Sequence, residues 1–108
     1  MAEFFIKQND TSPVFQATLK NPSGVAENLT GAQSVVFKMS NSVQEVKINQ
    51  AVTIDSAING LVSYAWQTGD TDTSGTFFAE FEVIKNDGKR ETFPNSEPIN
   101  VVIKKDVV

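Results

Sequence analysis

The 108-residue sequence predicts an all-β chain folded as one antiparallel β-sandwich. Three observations predict it: apolar residues recur at every second position in run after run, turn-forming residues separate the runs, and no stretch of ten or more residues carries a 3.6-residue apolar stripe. Phe4 with Ile6 opens the pattern. Phe15, Ala17 and Leu19 alternate with Gln16, Thr18 and Lys20, as a half-buried strand does. Val35, Phe37 and Met39 repeat the alternation, and Val46, Ile48, Val52 and Ile54 share one parity. Val62, Tyr64 and Trp66 follow, then Phe77, Ala79, Phe81 and Val83, and finally Ile99, Val101 and Ile103. β-Branched and aromatic residues fill these runs, as a pleated surface with one buried face prefers.

The junctions have their own chemistry. Asn21-Pro22-Ser23-Gly24 combines a proline that fixes φ with a glycine free to take positive φ. Asn86-Asp87-Gly88 precedes Arg90-Glu91-Thr92-Phe93 and marks a hairpin. Asn59-Gly60 and the Asp70–Gly75 stretch punctuate the rest, and Val25 to Ala32 has room for a single helical turn. About seven strands at this spacing fit an immunoglobulin-like sandwich, with a small β-barrel as the alternative, since periodicity does not count sheets. Residues 1–108 read as one domain without linker, repeat or low-complexity tract. The expected core comprises Phe15, Leu19, Phe37, Ile48, Val62, Tyr64, Trp66, Phe77, Phe81, Val83 and Val101.

Composition narrows the chemistry. There is no cysteine and no histidine, hence no disulfide framework, thiolate, imidazole base or imidazole metal ligand. Nine basic residues against thirteen acidic give a net charge of −4, the wrong sign for a nucleic-acid footprint. No window approaches the roughly 18 apolar residues of a membrane-spanning helix. The start, Met1-Ala2-Glu3-Phe4-Phe5-Ile6-Lys7, carries an acid where a signal peptide is basic, so synthesis in the cytoplasm is expected. The sequons at Asn9 and Asn28 are read as chance matches on that ground.

Three features of the sequence are candidate sites. Asp70-Thr71-Asp72-Thr73-Ser74-Gly75 begins like an EF-hand calcium loop, but its twelfth position, where a bidentate Glu is needed, is Phe81. A polar turn is the expectation. Glu80 and Glu82 share a strand face and form the one candidate acid–base pair, in a pattern that any solvated face also shows. No nucleophile elbow and no glycine-rich phosphate loop occurs, so no catalytic residue, cofactor or metal is expected. Phe5, Val36, Leu61, Phe78, Ile84 and Val102 fall on the polar parity of their strands. Apolar residues there form a protein interface if they cluster. Of these, Phe5, Phe78 and Ile84 are the candidate interface residues, with Phe78 the expected anchor because aromatics dominate binding hot spots. The Phe4 run and the Arg90–Phe93 segment are the candidate sheet edges, with Lys7, Lys89 and Arg90 as guards that favour side-chain contacts over strand addition.

The order of segments carries a resemblance. Asn9-Asp10-Thr11-Ser12-Pro13, Asn28-Leu29-Thr30-Gly31-Ala32 before Val35-Val36-Phe37-Lys38-Met39, Gly60-Leu61-Val62-Ser63-Tyr64-Ala65-Trp66, Gly69 to Gly75, and Thr92-Phe93-Pro94-Asn95 follow one another. In this order the chain resembles the N-terminal domain family of the phage baseplate upper protein, small β-sandwiches of tailed phages and prophages, from about Phe5 to Ile103. The resemblance implies a virion structural role: attaching tail-tip or baseplate components to the hub around the distal tail protein, with a homo-oligomer possible and no catalytic residues to carry over. In the baseplate protein a helical linker and further modules follow the domain. Here the last strand is followed directly by Val108, which fits a small standalone virion protein or one domain of a longer one. The alternative function is a receptor- or carbohydrate-binding module of a phage tail, which requires exposed rings at Tyr64 and Trp66.

Overall fold

The computed structural model describes residues 3–107. The expected domain of residues 1–108 and the sequence start also include Met1, Ala2 and Val108, which lie outside the described residues. The described chain is all-β and forms an immunoglobulin-like sandwich of nine strands: β1 Glu3–Lys7, β2 Phe15–Thr18, β3 Ser34–Ser40, β4 Val46–Ala51, β5 Thr53–Ser56, β6 Leu61–Tyr64, β7 Gly75–Ile84, β8 Arg90–Phe93 and β9 Ile99–Lys104. Six of them make one sheet, five in the order β1-β9-β7-β3-β4 with β8 paired to β7 beside them, and the remaining three make the other in the order β2-β6-β5. The ten-residue β7 is the spine of the large sheet. One side pairs with β3 over Phe78–Ile84; the other pairs with β9 over Gly75–Ala79 and with β8 over Phe81–Ile84.

All eleven expected core residues are buried, together with Ile6, Leu29, Val35, Met39, Ala79, Phe93, Ile99 and Ile103. The centre is aromatic. Phe37 lies with its ring centroid 4.6 Å from Tyr64, 5.3 Å from Phe81, 5.6 Å from Phe15 and 5.7 Å from Trp66, so both sheets interlock through one ring cluster. Such rings bury large areas and gain further from tilted and edge-on contacts.

The structure departs from the expected pattern in three places. The run Val46–Ile54 is not one strand: the chain leaves the large sheet at Ala51 and enters the small one at Thr53, with the Val52 N–H donating to Val35 O at 3.2 Å. Strands that switch sheets are how sandwich corners are made. A bulge opposite Met39/Ser40 sets Val46 against Ser40 on the outer face, so of the four residues sharing parity only Ile48 is buried and Val46 is 66% exposed. Second, β1 and β9 run parallel rather than antiparallel. Third, Val25–Ala32 holds no helix: Ala26 bridges Lys20, Leu29 plugs the core, and the Ala32 N–H closes a turn on Leu29 O. The turns predicted at Asn21–Gly24 and Asn86–Gly88 are present, with Gly24 N–H bonded to Asn21 O and Gly88 N–H to Lys85 O.

Candidate protein-interaction face

Alternation along β7 turns Thr76, Phe78, Glu80, Glu82 and Ile84 outward, and the pairing register lines each up with outward residues of its neighbours. Phe78 faces Asn100 and Ser40, Glu80 faces Lys38, Glu82 faces Val36 and Thr92, and Ile84 faces Ser34 and Arg90. On β1, Phe5 faces Val102, which in turn faces Thr76. The three candidate interface residues therefore share one face of the large sheet without forming one patch. Phe78 and Ile84 stand six residues apart on β7, about 20 Å at the rise of an extended strand. Between them Glu82 accepts from Lys38 Nζ at 2.8 Å and lies 3.8 Å from Arg90. Ile84 sits behind that charged row. Val36 lies beside it, and Leu61 belongs to the other sheet.

Phe5 is 54% exposed; Phe78, Ile84 and Val102 are half-buried. Phe78 lines a cleft of about 600 Å³ at the end of the sheet where β3 turns into β4. Phe78, Val46 and Pro98 form its apolar wall, and Lys38 and Glu80 stand at its charged side. Sequence reading missed Val46 and Pro98 here. The bulge that turns Val46 outward has no signature in a period-two pattern, and Pro98 reaches the cleft only through the β8–β9 connection.

The acidic loop folds in on itself. Asp70 accepts hydrogen bonds from the Tyr64 hydroxyl at 2.5 Å and from the Gln67 N–H at 2.8 Å. Burial first, then that bond and the Asp70 charge, raise the Tyr64 hydroxyl above its ordinary value. Asp72 accepts from Lys47 Nζ at 2.7 Å, and the Lys47 and Thr73 hydrogen bonds lower its pKa. Thr71 is buried, donates its hydroxyl to Asp10 O at 2.8 Å and accepts at its carbonyl from the Asn9 N–H at 2.9 Å. The loop thus ties the β1–β2 connection, β4 and the end of β6 together. Phe81, at the position a calcium loop gives to glutamate, is fully buried among rings, and Glu80 and Glu82 point to the opposite face. Elsewhere Lys85 bridges Glu91 at 2.6 Å and Glu27 at 3.5 Å, with the Glu91 hydrogen bond raising the lysine and lowering the glutamate. Tyr64 and Trp66 are buried in the core, 5.4 Å apart, and offer no ring to a sugar.

The chain matches no family model and no curated protein sequence. In three dimensions it is similar to the crystal structure of CopC from Methylosinus trichosporium OB3b, with a TM-score of 0.59 over 100% of this chain and 89% of that one. At 7% identity that likeness concerns the sandwich fold alone.

Proposed function

We propose that the chain is a non-enzymatic structural module of a phage or prophage virion, which attaches a tail-tip or baseplate component through the outer face of its six-stranded sheet. The observation that carries this reading is the Phe78 cleft, apolar on one wall, charged on the other and wide enough to take a partner's side chain. An aromatic anchor set in a partly desolvated recess and rimmed by polar groups is how protein interfaces concentrate their energy. The carboxylates of Asp70, Asp72 and Glu82 support the non-enzymatic part, because each already holds a hydrogen-bond or ion-pair partner within the fold. The resemblance in segment order supports the tail or baseplate partner, of the distal tail hub type, and a location in the virion.

The test is co-expression with the hub and baseplate proteins of a tailed phage, chosen from the genes neighbouring this one, followed by affinity capture and by mass spectrometry of purified particles. The expected result is capture of a tail or baseplate protein by the wild-type chain, loss of capture with Phe78→Asp at unchanged melting temperature, and detection in the particle. Capture of none of them, or capture indifferent to Phe78→Asp, would overturn the reading.

A further inference from the structure

We infer that the chain self-associates into a two-fold dimer by antiparallel pairing of β1 with β1 of a second copy, centred on Phe5. β1 closes one end of the large sheet, and among the described residues no strand pairs with its outer side. The Gln8 N–H donates to Lys104 O, so even-numbered positions turn their backbone groups toward β9. The odd ones, Glu3, Phe5 and Lys7, therefore direct theirs to the outer side, where Lys7 O already accepts from the Asp10 N–H at 3.1 Å and keeps its second lone pair for another donor. Those odd residues also carry the exposed side chains of the strand.

The sequence of β1, Glu3-Phe4-Phe5-Ile6-Lys7, is complementary to its own reverse. In an antiparallel pair centred on Phe5, the two Phe5 residues form a hydrogen-bonded pair, with their rings side by side on the outer face. Each Glu3 then stands opposite the other copy's Lys7, and each Phe4 opposite the other's Ile6 on the core side. Directly opposed unlike charges favour a register, and like charges oppose it.

The β1–β9 register adds a second argument. It sets Lys7 directly beside Lys104, whose ammonium lies 5.5 Å from the Phe5 ring centre, and among the described residues neither lysine has an ion pair. Two adjacent cations at one end of an open strand, with an exposed glutamate at the other, are a ready receptor for the same strand reversed. Other strand edges lack this symmetry. β2 (Phe-Gln-Ala-Thr) is uncharged, and β5 has only an aspartate. On β4, Lys47 is committed to Asp72; reversing β8 sets Arg90 against Phe93. Lys7, which guards the edge against arbitrary strands, thus admits this one.

A five-residue strand pair lies at the low end of interface sizes, so the dimer is expected to dissociate on dilution. The inference goes beyond the tail-attachment reading and uses a different part of the sheet. Its test is sedimentation equilibrium of the whole chain from about 1 μM to about 1 mM, a range that spans weak association constants. The variants are Glu3→Lys, Lys7→Glu and the double exchange, each checked for an unchanged far-ultraviolet spectrum. The wild type is expected to show a monomer–dimer equilibrium. Each single exchange sets like charges opposite each other twice per dimer and should weaken association about 10-fold or more, and the double exchange should restore it. Phe5→Asp, which puts two carboxylates at the centre, should leave only monomer. A chain that stays monomeric at the highest concentration, or a dimer indifferent to the charge exchanges, overturns the proposal. Neither result touches the attachment reading, which depends on Phe78.

Discussion

Replacing Gly60 by alanine should destabilise the fold far more than the same change at Gly24, although both glycines have positive φ, +66° and +82°. At Gly24 an added Cβ meets nothing within 4 Å, so only the backbone term acts. A left-handed conformation costs a non-glycine residue about 1–2 kcal/mol, and the reduced freedom of the unfolded chain returns about 0.4–1 kcal/mol. The net loss at Gly24 is therefore about 1 kcal/mol. At Gly60 the Cβ would lie 2.6 Å from Glu27 O and 2.9 Å from Leu19 O, backbone atoms that have no rotamer to yield. Relieving that overlap means moving the segment that holds Leu19 N–H on Gly60 O and Glu27 N–H on Leu19 O, both 2.8 Å. Two such bonds at about 1 kcal/mol each bring the loss at Gly60→Ala to about 3 kcal/mol. The gap of about 2 kcal/mol corresponds to roughly 8–16 °C in melting temperature for a domain near this size. Calorimetric or denaturant unfolding of the two variants side by side measures it. A gap below about 0.5 kcal/mol would refute the close approach of the β5–β6 turn to the Leu19 and Glu27 backbone.

Phe81→Ala should cost about 3–5 kcal/mol by denaturant unfolding, because the ring is fully buried against Phe37 and Phe15; a loss below about 1 kcal/mol would contradict its place in the ring cluster. Tyr64 is the one tyrosine of the chain, so phenolate absorbance reports it alone. Its folded-state pKa lies above the ordinary 10.0, so its stabilising contribution is complete below pH 10.0 and is lost as pH rises beyond that. Phenolate should therefore appear together with unfolding, whereas its appearance near pH 10.0 in a chain that remains folded would contradict the burial of the Tyr64 hydroxyl and its Asp70 contact.

How much was legible follows from what alternation encodes. A strand with one face against a core must place its large apolar residues at every second position, so Phe37, Phe81, Val83 and Val101 announce both their strands and their burial before any register is known. Tyr64 and Trp66 were readable as core for the same reason, sharing parity with Val62. Pairing is a different kind of information. Nothing local to Val46–Ile54 says that the chain changes sheets at Val52, because both halves keep a strand pattern and the switch is defined by β3 on one side and β6 on the other. The Met39/Ser40 bulge likewise inverts the parity of Val46 through a partner strand, and with it creates a wall of the Phe78 cleft.

The same division explains why the candidate interface was only half readable. Solvent parity identified Phe5, Phe78 and Ile84 as apolar residues on the outer side of their strands. Their distances depend on which strands lie between, and that follows from topology. With β9 inserted between β1 and β7, Phe5 stands two strands from Phe78, while Glu80 and Glu82 separate Phe78 from Ile84 along β7. The Lys38–Glu82 pair in that gap is worth little as stability, since partly exposed ion pairs contribute roughly 0–1 kcal/mol. Its consequence is spatial. A charged row across the middle of the sheet divides the face into a Phe78 cleft at one end and Ile84 at the other. The open Phe5 edge lies two strands to the side of the cleft, so one copy can engage a partner at Phe78 and a second copy at β1 without either contact occupying the other's residues.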